Sequence, residues 1–284
     1  MAAAVRDPDP RWWDDDLAVQ LTGGLVVPET MVSTWFRPDA WQPAGPAPLP
    51  LPTHFDVKAA LGFGEALVVE QDLATVMPVL DGATLTSVER LRSVGEIKRT
   101  RLGTGRFWTI DVDYRTDAGA KVATETVTCF GFDADRETTT SPNGGDAAAA
   151  VGPAPGATRV IAERLSVSDV VAGAFASHDH RPVHHDPAAA QASGAPTVFL
   201  DTPTQQAWFR RAIGAHAGPG AFVERLRLRM GRPICAGDDL AVDLVIDVVA
   251  VGDPAAPAGV QTLSLVASVD GVTRSTATAQ VVTR

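Results

Sequence analysis

The residues best placed to do chemistry lie between Ser177 and Gly194, where the chain reads Ser-His-Asp-His-Arg-Pro-Val-His-His-Asp-Pro-Ala-Ala-Ala-Gln-Ala-Ser-Gly. Four of the six histidines, His178, His180, His184 and His185, fall within eight positions, with Asp179 and Asp186 among them. A general acid and a general base need fixed positions about one water apart. Asp179 and His184 flank a proline turn that can hold them so. Histidine titrates near neutral pH and burial raises an aspartate, so both forms of such a pair are reachable. The neighbours have blander uses. His178 and His180 read as solvent-facing or supporting, His185 as locally packed, and Asp186 as a helix cap. The helical i, i+4 histidine pair of a zinc protease is absent, so no metal site is expected.

The elements around this stretch follow from caps and breakers. Ser166 can cap a helix over 167–176, with Asp169 completing a capping box. Pro182 breaks helix continuation through the histidines. Asp186-Pro187 starts a short second helix closed by Ser193-Gly194. Thr202-Pro203 reads as another cap-plus-proline start, opening a helix to about 215. Strands are expected over 159–165, 224–230, 239–251, 261–269 and 273–282, the last two joined at Asp270-Gly271.

The first half has a similar texture. Short helices are expected over 28–35 and 54–61, ended by Pro38 and by Gly62. Residues 43–52 are proline-rich and read as an extended connection. Strands follow over 65–75, 85–94, 107–114 and 121–130, with a hairpin turn at 116–119. The third alternates apolar and polar residues from Trp108 on, the mark of one packed and one wet face. Residues 134–157 carry almost no bulky apolar group and read as a linker or long loop. A weak repeat links the halves: Pro78-x-x-x-Gly82-x-x-Leu85 recurs as Pro233-x-x-x-Gly237-x-x-Leu240. In each half it should enter the longest strand. Two similar domains on one chain is the favoured reading.

Composition bounds the partners. At 284 residues, 45% hydrophobic and 20% charged, the chain reads as soluble, globular and long enough for two cores. A formal charge of -10 with no basic cluster argues against a nucleic-acid partner. The start lacks the apolar core of a signal peptide, and no apolar run reaches membrane-spanning length; a cytoplasmic address follows by elimination. The two cysteines, Cys129 and Cys235, read as small buried hydrophobes. The tryptophans, Trp41 among them, read mostly as core or interface.

At Asp179-His180-Arg181-Pro182-Val183-His184-His185-Asp186-Pro187, with Ala190 following, the sequence resembles the MaoC-like dehydratases, the (R)-specific enoyl-CoA hydratases of the hotdog fold. Their motif is Gly-Asp-x-Asn-Pro-(Ile/Val)-His, then five residues and a small one. Asp179 matches the catalytic aspartate and His184 the catalytic histidine. His178 stands where glycine is usual, and Arg181 where asparagine is usual. Gly231-Arg232-Pro233 through Gly237-Asp238 resembles the family's Pro-x-x-x-Gly-Asp strand start. The resemblance covers roughly 158–284, and less specifically 65–132, which has no copy of the motif.

The resemblance implies an α+β chain of two tandem hotdog domains, each a long helix wrapped by a curled antiparallel sheet. The divisions would be an N-terminal hotdog-like domain without the motif over 1–135, a linker over 136–157, and a C-terminal domain with the motif over 158–284. It implies a hydro-lyase acting at the 2,3 double bond of an enoyl-CoA thioester, on a bulky or steroid-like acyl chain. The acyl-CoA is the partner, coenzyme A enters only as part of the substrate, and no separate cofactor is needed. Assembly would be a homodimer or a hetero-oligomer of hotdog units. Donors for the developing thioester oxyanion are expected at an exposed helix N-terminus spanning Thr202, Thr204 and Gln205. Gln206 is further lining, Trp208 should face the acyl tunnel, and Arg181 either meets a coenzyme A phosphate or pairs with an acid. Two rivals stand beside this: a hotdog acyl-CoA thioesterase, and a non-catalytic acyl-CoA-binding or partner subunit.

Overall fold

A computed structural model describes residues 1–39, 49–100, 102–133, 156–247 and 260–283. Trp41, most of the proline-rich connection, nearly all of the expected linker and the end of the expected strand 239–251 lie outside the described residues. The helices are α1 (Asp15–Thr22), α2 (Pro52–Leu61), α3 (Val167–Ala176), α4 (Pro187–Ala192) and α5 (Thr202–Ala217), with a 3-10 segment over Glu29–Phe36. The strands are β1 (Glu65–Thr75), β2 (Leu85–Thr100), β3 (Gly103–Thr116), β4 (Lys121–Asp133), β5 (Thr158–Arg164), β6 (Ala221–Met230), β7 (Asp239–Asp247), β8 (Val260–Val269) and β9 (Val272–Thr283). All nine form one antiparallel sheet in the order β2-β3-β4-β1-β6-β9-β8-β7-β5.

That order is the same motif written twice. From the centre outward it runs β1-β4-β3-β2 on one side and β6-β9-β8-β7 on the other, with β5 added beyond β7. The halves meet where Glu70–Ala74 pairs with Arg225–Arg229. On the exposed face of this seam Arg225 pairs with Asp72, while Arg227 and Arg229 both reach Glu70. On the other face Leu73 lies opposite Leu226, and both are buried.

The repeated Pro-x-x-x-Gly-x-x-Leu stretches occupy matching places. Gly82 and Gly237 take φ of 75° and 92°, left-handed values that glycine adopts without steric cost, in the turns before β2 and β7. Each stretch also forms one isolated bridge, Leu80 with Val26 and Cys235 with Phe199. Val26 precedes the 3-10 segment and Phe199 precedes α5. The eight-residue 3-10 segment therefore stands in the first half where the second half has a 16-residue helix. The first copy enters β2, the longest strand of its half, and the second enters β7, whose expected end lies outside the described residues.

α5 packs on β5, β6, β7 and β9, and the 3-10 segment packs beside it and on β6. One apolar cluster gathers α5 with the strands of the second half, and another gathers α2 with those of the first. The 3-10 segment straddles them: Met31 belongs to the former and Val32 to the latter. In β3 the expected alternation is met by buried Trp108, Ile110, Val112 and Tyr114. Both cysteines are free and buried, and burial pushes the Cys129 thiol up to about 12.

The N-terminal segment is locked to α5 by buried charge. Arg210 donates to Glu29 (3.1 Å), Asp9 (3.4 Å) and the Ala221 carbonyl (3.5 Å), while Arg11 meets Asp9 at 2.7 Å. Both guanidinium groups also lie over the Trp12 ring, at 5.6 and 5.1 Å. The Glu29 contact ties the first turn of the 3-10 segment to the middle of α5.

Candidate active site

The site begins with how α3 starts and stops. Its N-terminus has the expected capping box: Asp169 donates its N–H to Ser166 Oγ (3.2 Å), and Ser166 donates its N–H to the Asp169 carboxylate (2.8 Å). Its C-terminus closes by a Schellman motif: the His178 N–H reaches the Phe175 carbonyl at 3.1 Å and the Asp179 N–H reaches the Ala174 carbonyl at 2.8 Å. This requires a left-handed residue at His178, whose φ is 56°. Glycine fills that place most easily, so the glycine expected from the resemblance has a backbone reason. The motif sets the first candidate, Asp179, at a defined distance beyond a rigid helix end.

Pro182 then starts a single 3-10 turn, Pro182–His184, because its fixed φ suits a first helical position and its missing N–H costs nothing there. The turn carries His184 into the protein, where it is 3% exposed. Its Nδ1 lies 2.8 Å from the Phe199 carbonyl. A carbonyl only accepts, so Nδ1 carries a proton and the neutral ring keeps its lone pair on Nε2. Nε2 faces Asp179 Oδ2 at 3.7 Å. Asp186 caps α4 as expected, accepting from the Ala188 and Ala189 amides.

A residue that sequence reading missed completes the pair's surroundings. Arg37, at the end of the 3-10 segment, donates to Asp179 Oδ2 at 2.8 Å across 142 positions of sequence. Burial pushes the Asp179 carboxyl up, but the charges of Arg37, His184 and Arg181 and the Arg37 hydrogen bond outweigh it. The carboxyl is held below its ordinary value. Burial raises this aspartate as expected, but the surrounding charges, Arg37 foremost, reverse the net direction. No local pattern marks Arg37, which is a lone arginine before Pro38.

The other expected site residues fall in different places. Arg181 is exposed, and its backbone N–H donates to Asp179 Oδ1 at 3.3 Å. The α5 start is not an open anion site. Asp201, not Thr202, is the cap, accepting from the Thr204 amide at 3.0 Å. Pro203 has no N–H, and the Gln205 amide is bonded to the Asp201 carbonyl. Asp201 also meets the Ser177 hydroxyl, so the α5 start is tied to the α3 end. Thr202 Oγ contacts the Met230 sulfur at 3.3 Å. Thr204, Gln205 and Gln206 are buried. Trp208 is buried in the core of the second half. It borders a small apolar pocket with Phe209, Leu240 and Ala267. His178 lies 3.6 Å from exposed Asp39, and His180 and His185 flank the exposed Phe175 ring. Among the described residues, no three His, Cys, Asp or Glu side chains are grouped to hold a metal, and no helix is long and apolar enough to cross a membrane.

No family model matches the chain. The 3-oxo-4,17-pregnadiene-20-carboxyl-CoA hydratase beta subunit of Mycobacterium tuberculosis (strain ATCC 25618 / H37Rv) is 34% identical over 84 residues, 30% of this chain. The match spans 64% of that relative's length. Among solved structures, a MaoC-like dehydratase superposes with a TM-score of 0.74 at 22% identity, covering 100% of this chain and 92% of the other. A Mycobacterium tuberculosis protein described as having a double hotdog fold gives a TM-score of 0.61 at 12% identity, covering 100% of this chain and 91% of the other. The doubled strand order, the helix seated in the second half and these superpositions agree. The chain is a double-hotdog protein, a fold it shares with the MaoC-like dehydratase on which it superposes.

Proposed function

We propose that the chain is a hydratase or dehydratase of acyl thioesters. It adds water across the 2,3 double bond of a trans-2-enoyl-CoA, or removes it from the (R)-3-hydroxyacyl form. The observation that carries this reading is the facing of Asp179 Oδ2 and His184 Nε2 at 3.7 Å, with the histidine's other nitrogen anchored on a carbonyl. Two hydrogen bonds from one water span about 4.5 Å between their acceptors, so the gap must open by less than about an ångström to hold it. Such a water has both O–H bonds pinned and a lone pair turned outward. In hydration, His184 Nε2 takes one proton as the water oxygen bonds to C3. The π electrons pass toward C2 and the thioester carbonyl, and C2 then receives that proton from the same face. Asp179 holds the second O–H and stabilises the imidazolium between the two transfers. Water is the only species added, and the addition is syn.

A bulky, ring-bearing acyl chain is part of the proposal, supported by the name of the Mycobacterium tuberculosis relative. Its designation as a beta subunit likewise supports assembly with another hotdog chain. Coenzyme A enters as part of the substrate. Loss of the ultraviolet absorbance of a short enoyl-CoA tests the reaction. Asp179→Asn and His184→Ala should each slow turnover by about 100-fold or more. Unchanged turnover in both variants would sink the assignment.

A further inference from the structure

We propose that Arg37 is a positioning residue for the Asp179–His184 pair, so that the first half of the chain supplies part of a site whose motif lies wholly in the second. What the pair does rests on the hydratase reading; how it is held does not.

The geometry is specific. Arg37 Nη1 and His184 Nε2 both approach Oδ2 of Asp179, at 2.8 and 3.7 Å, while Oδ1 accepts the Arg181 N–H at 3.3 Å. Both carboxylate oxygens are therefore held, and the plane of the group is fixed with one edge toward the histidine. The arginine is itself restrained. Its backbone N–H bonds to the Thr34 carbonyl at 3.2 Å, and Pro38 restricts it to the extended conformation it adopts, φ -88° and ψ 124°. The adjacent Phe36 ring stacks on Tyr114 at 5.3 Å. The arginine and aspartate side chains are 14% and 12% exposed, so solvent screens the pair far less than an exposed one.

The other charges near Arg37 leave it available to Asp179. Glu125 on β4 and Tyr114 on β3 both feel its charge, and Tyr114 donates to Glu125 at 2.7 Å. Burial raises the Glu125 carboxyl in spite of Tyr114 and Arg37, which favours its neutral form. Facing Asp179, the cations are Arg37, Arg181 and, when protonated, His184. Of these, Arg37 alone donates a side-chain hydrogen bond within 3 Å. The arginine thus keeps the carboxylate ionised and aimed.

Two readouts separate this role from simple bracing of the fold. In Arg37→Gln, kcat/KM for enoyl-CoA should fall by a larger factor at pH 5.5 than at pH 8, because protonation of Asp179 moves to higher pH. Arg37→Lys should recover part of that loss. Independently, the Asp179 carboxyl is followed by carbon NMR in aspartate-labelled full chain, its signal assigned with Asp179→Asn. Its titration should move to higher pH in Arg37→Gln, and by less in Arg37→Lys. Coincident titrations in wild type and Arg37→Gln, or a loss of activity by the same factor at every pH, would overturn the proposal. If the wild-type chain hydrates no enoyl-CoA, the functional reading fails while the NMR titration still decides the role of Arg37. If Arg37→Gln does not fold, Arg37→Lys carries the same comparison: an unmoved Asp179 titration there refutes it.

Discussion

Replacing Arg210 with methionine should cost about 3 kcal/mol of stability. The guanidinium is 1% exposed and holds Glu29, Asp9 and the Ala221 carbonyl. Breaking a buried ion pair by removing one partner costs about 3–5 kcal/mol, chiefly through the stranded charge. Asp9 keeps Arg11 at 2.7 Å, so the charge left stranded is Glu29, which places the estimate at the lower end. Methionine fills most of the vacated space with a flexible apolar chain, which limits the cavity contribution. Urea unfolding followed by tryptophan fluorescence suits the measurement, because both guanidinium groups lie over the Trp12 ring. A second change, Glu29→Gln, removes the stranded charge. The double variant should therefore recover about 2 kcal/mol relative to the sum of the two single losses. A loss below about 1 kcal/mol in Arg210→Met, or additive single effects, would refute the claim that this network pins the N-terminal segment to α5.

His178→Gly should raise the unfolding free energy by about 1 kcal/mol, read as a higher urea midpoint. The left-handed penalty of about 1–2 kcal/mol is relieved and only partly offset by the freedom glycine gains in the unfolded chain; a lowered midpoint counts against the Schellman reading. Gly173→Ala would place a Cβ within 2.5 Å of Thr204 Oγ and 2.6 Å of its methyl, at the buried contact of α3 with α5. A thermal melt should register about 1–3 kcal/mol of overpacking, and an unchanged melting temperature would mean that α3 and α5 have slack. Burial, with the charges of Arg181 and Lys58, lowers His54 from 6.5 to about 4. The folded state then binds fewer protons than the unfolded chain between those values, so stability falls as pH drops from 6.5 toward 4. His54→Phe should flatten that part of the pH–stability curve, and an unaltered slope would assign the acid sensitivity elsewhere.

What could be read from the sequence was what local rules govern. The Ser166–Asp169 capping box, the Asp186-Pro187 start and the alternation of Trp108 to Tyr114 each need only a few neighbouring residues, and each is present. Asp201 and Thr202 are both good cap residues before a proline, so the one-residue error at the start of α5 follows from a choice that sequence leaves open. α5 is buried nearly all round, from Pro203 to Ile213, and such a helix has no face to tell which side chains border a substrate. Arg37 and the β1–β6 seam depend on contacts between residues more than 140 positions apart, which no window of sequence contains.

The seam joining β1 to β6 also bears on dilution. Two hotdog units that met only as separate chains would separate at low concentration, and any site drawing a cation from one and an acid from the other would be lost with them. Here both units are in one covalent chain, so their local concentration about each other does not depend on how much protein is in solution. The Arg37–Asp179 contact should accordingly survive at protein concentrations far below those at which a non-covalent pair of this size falls apart.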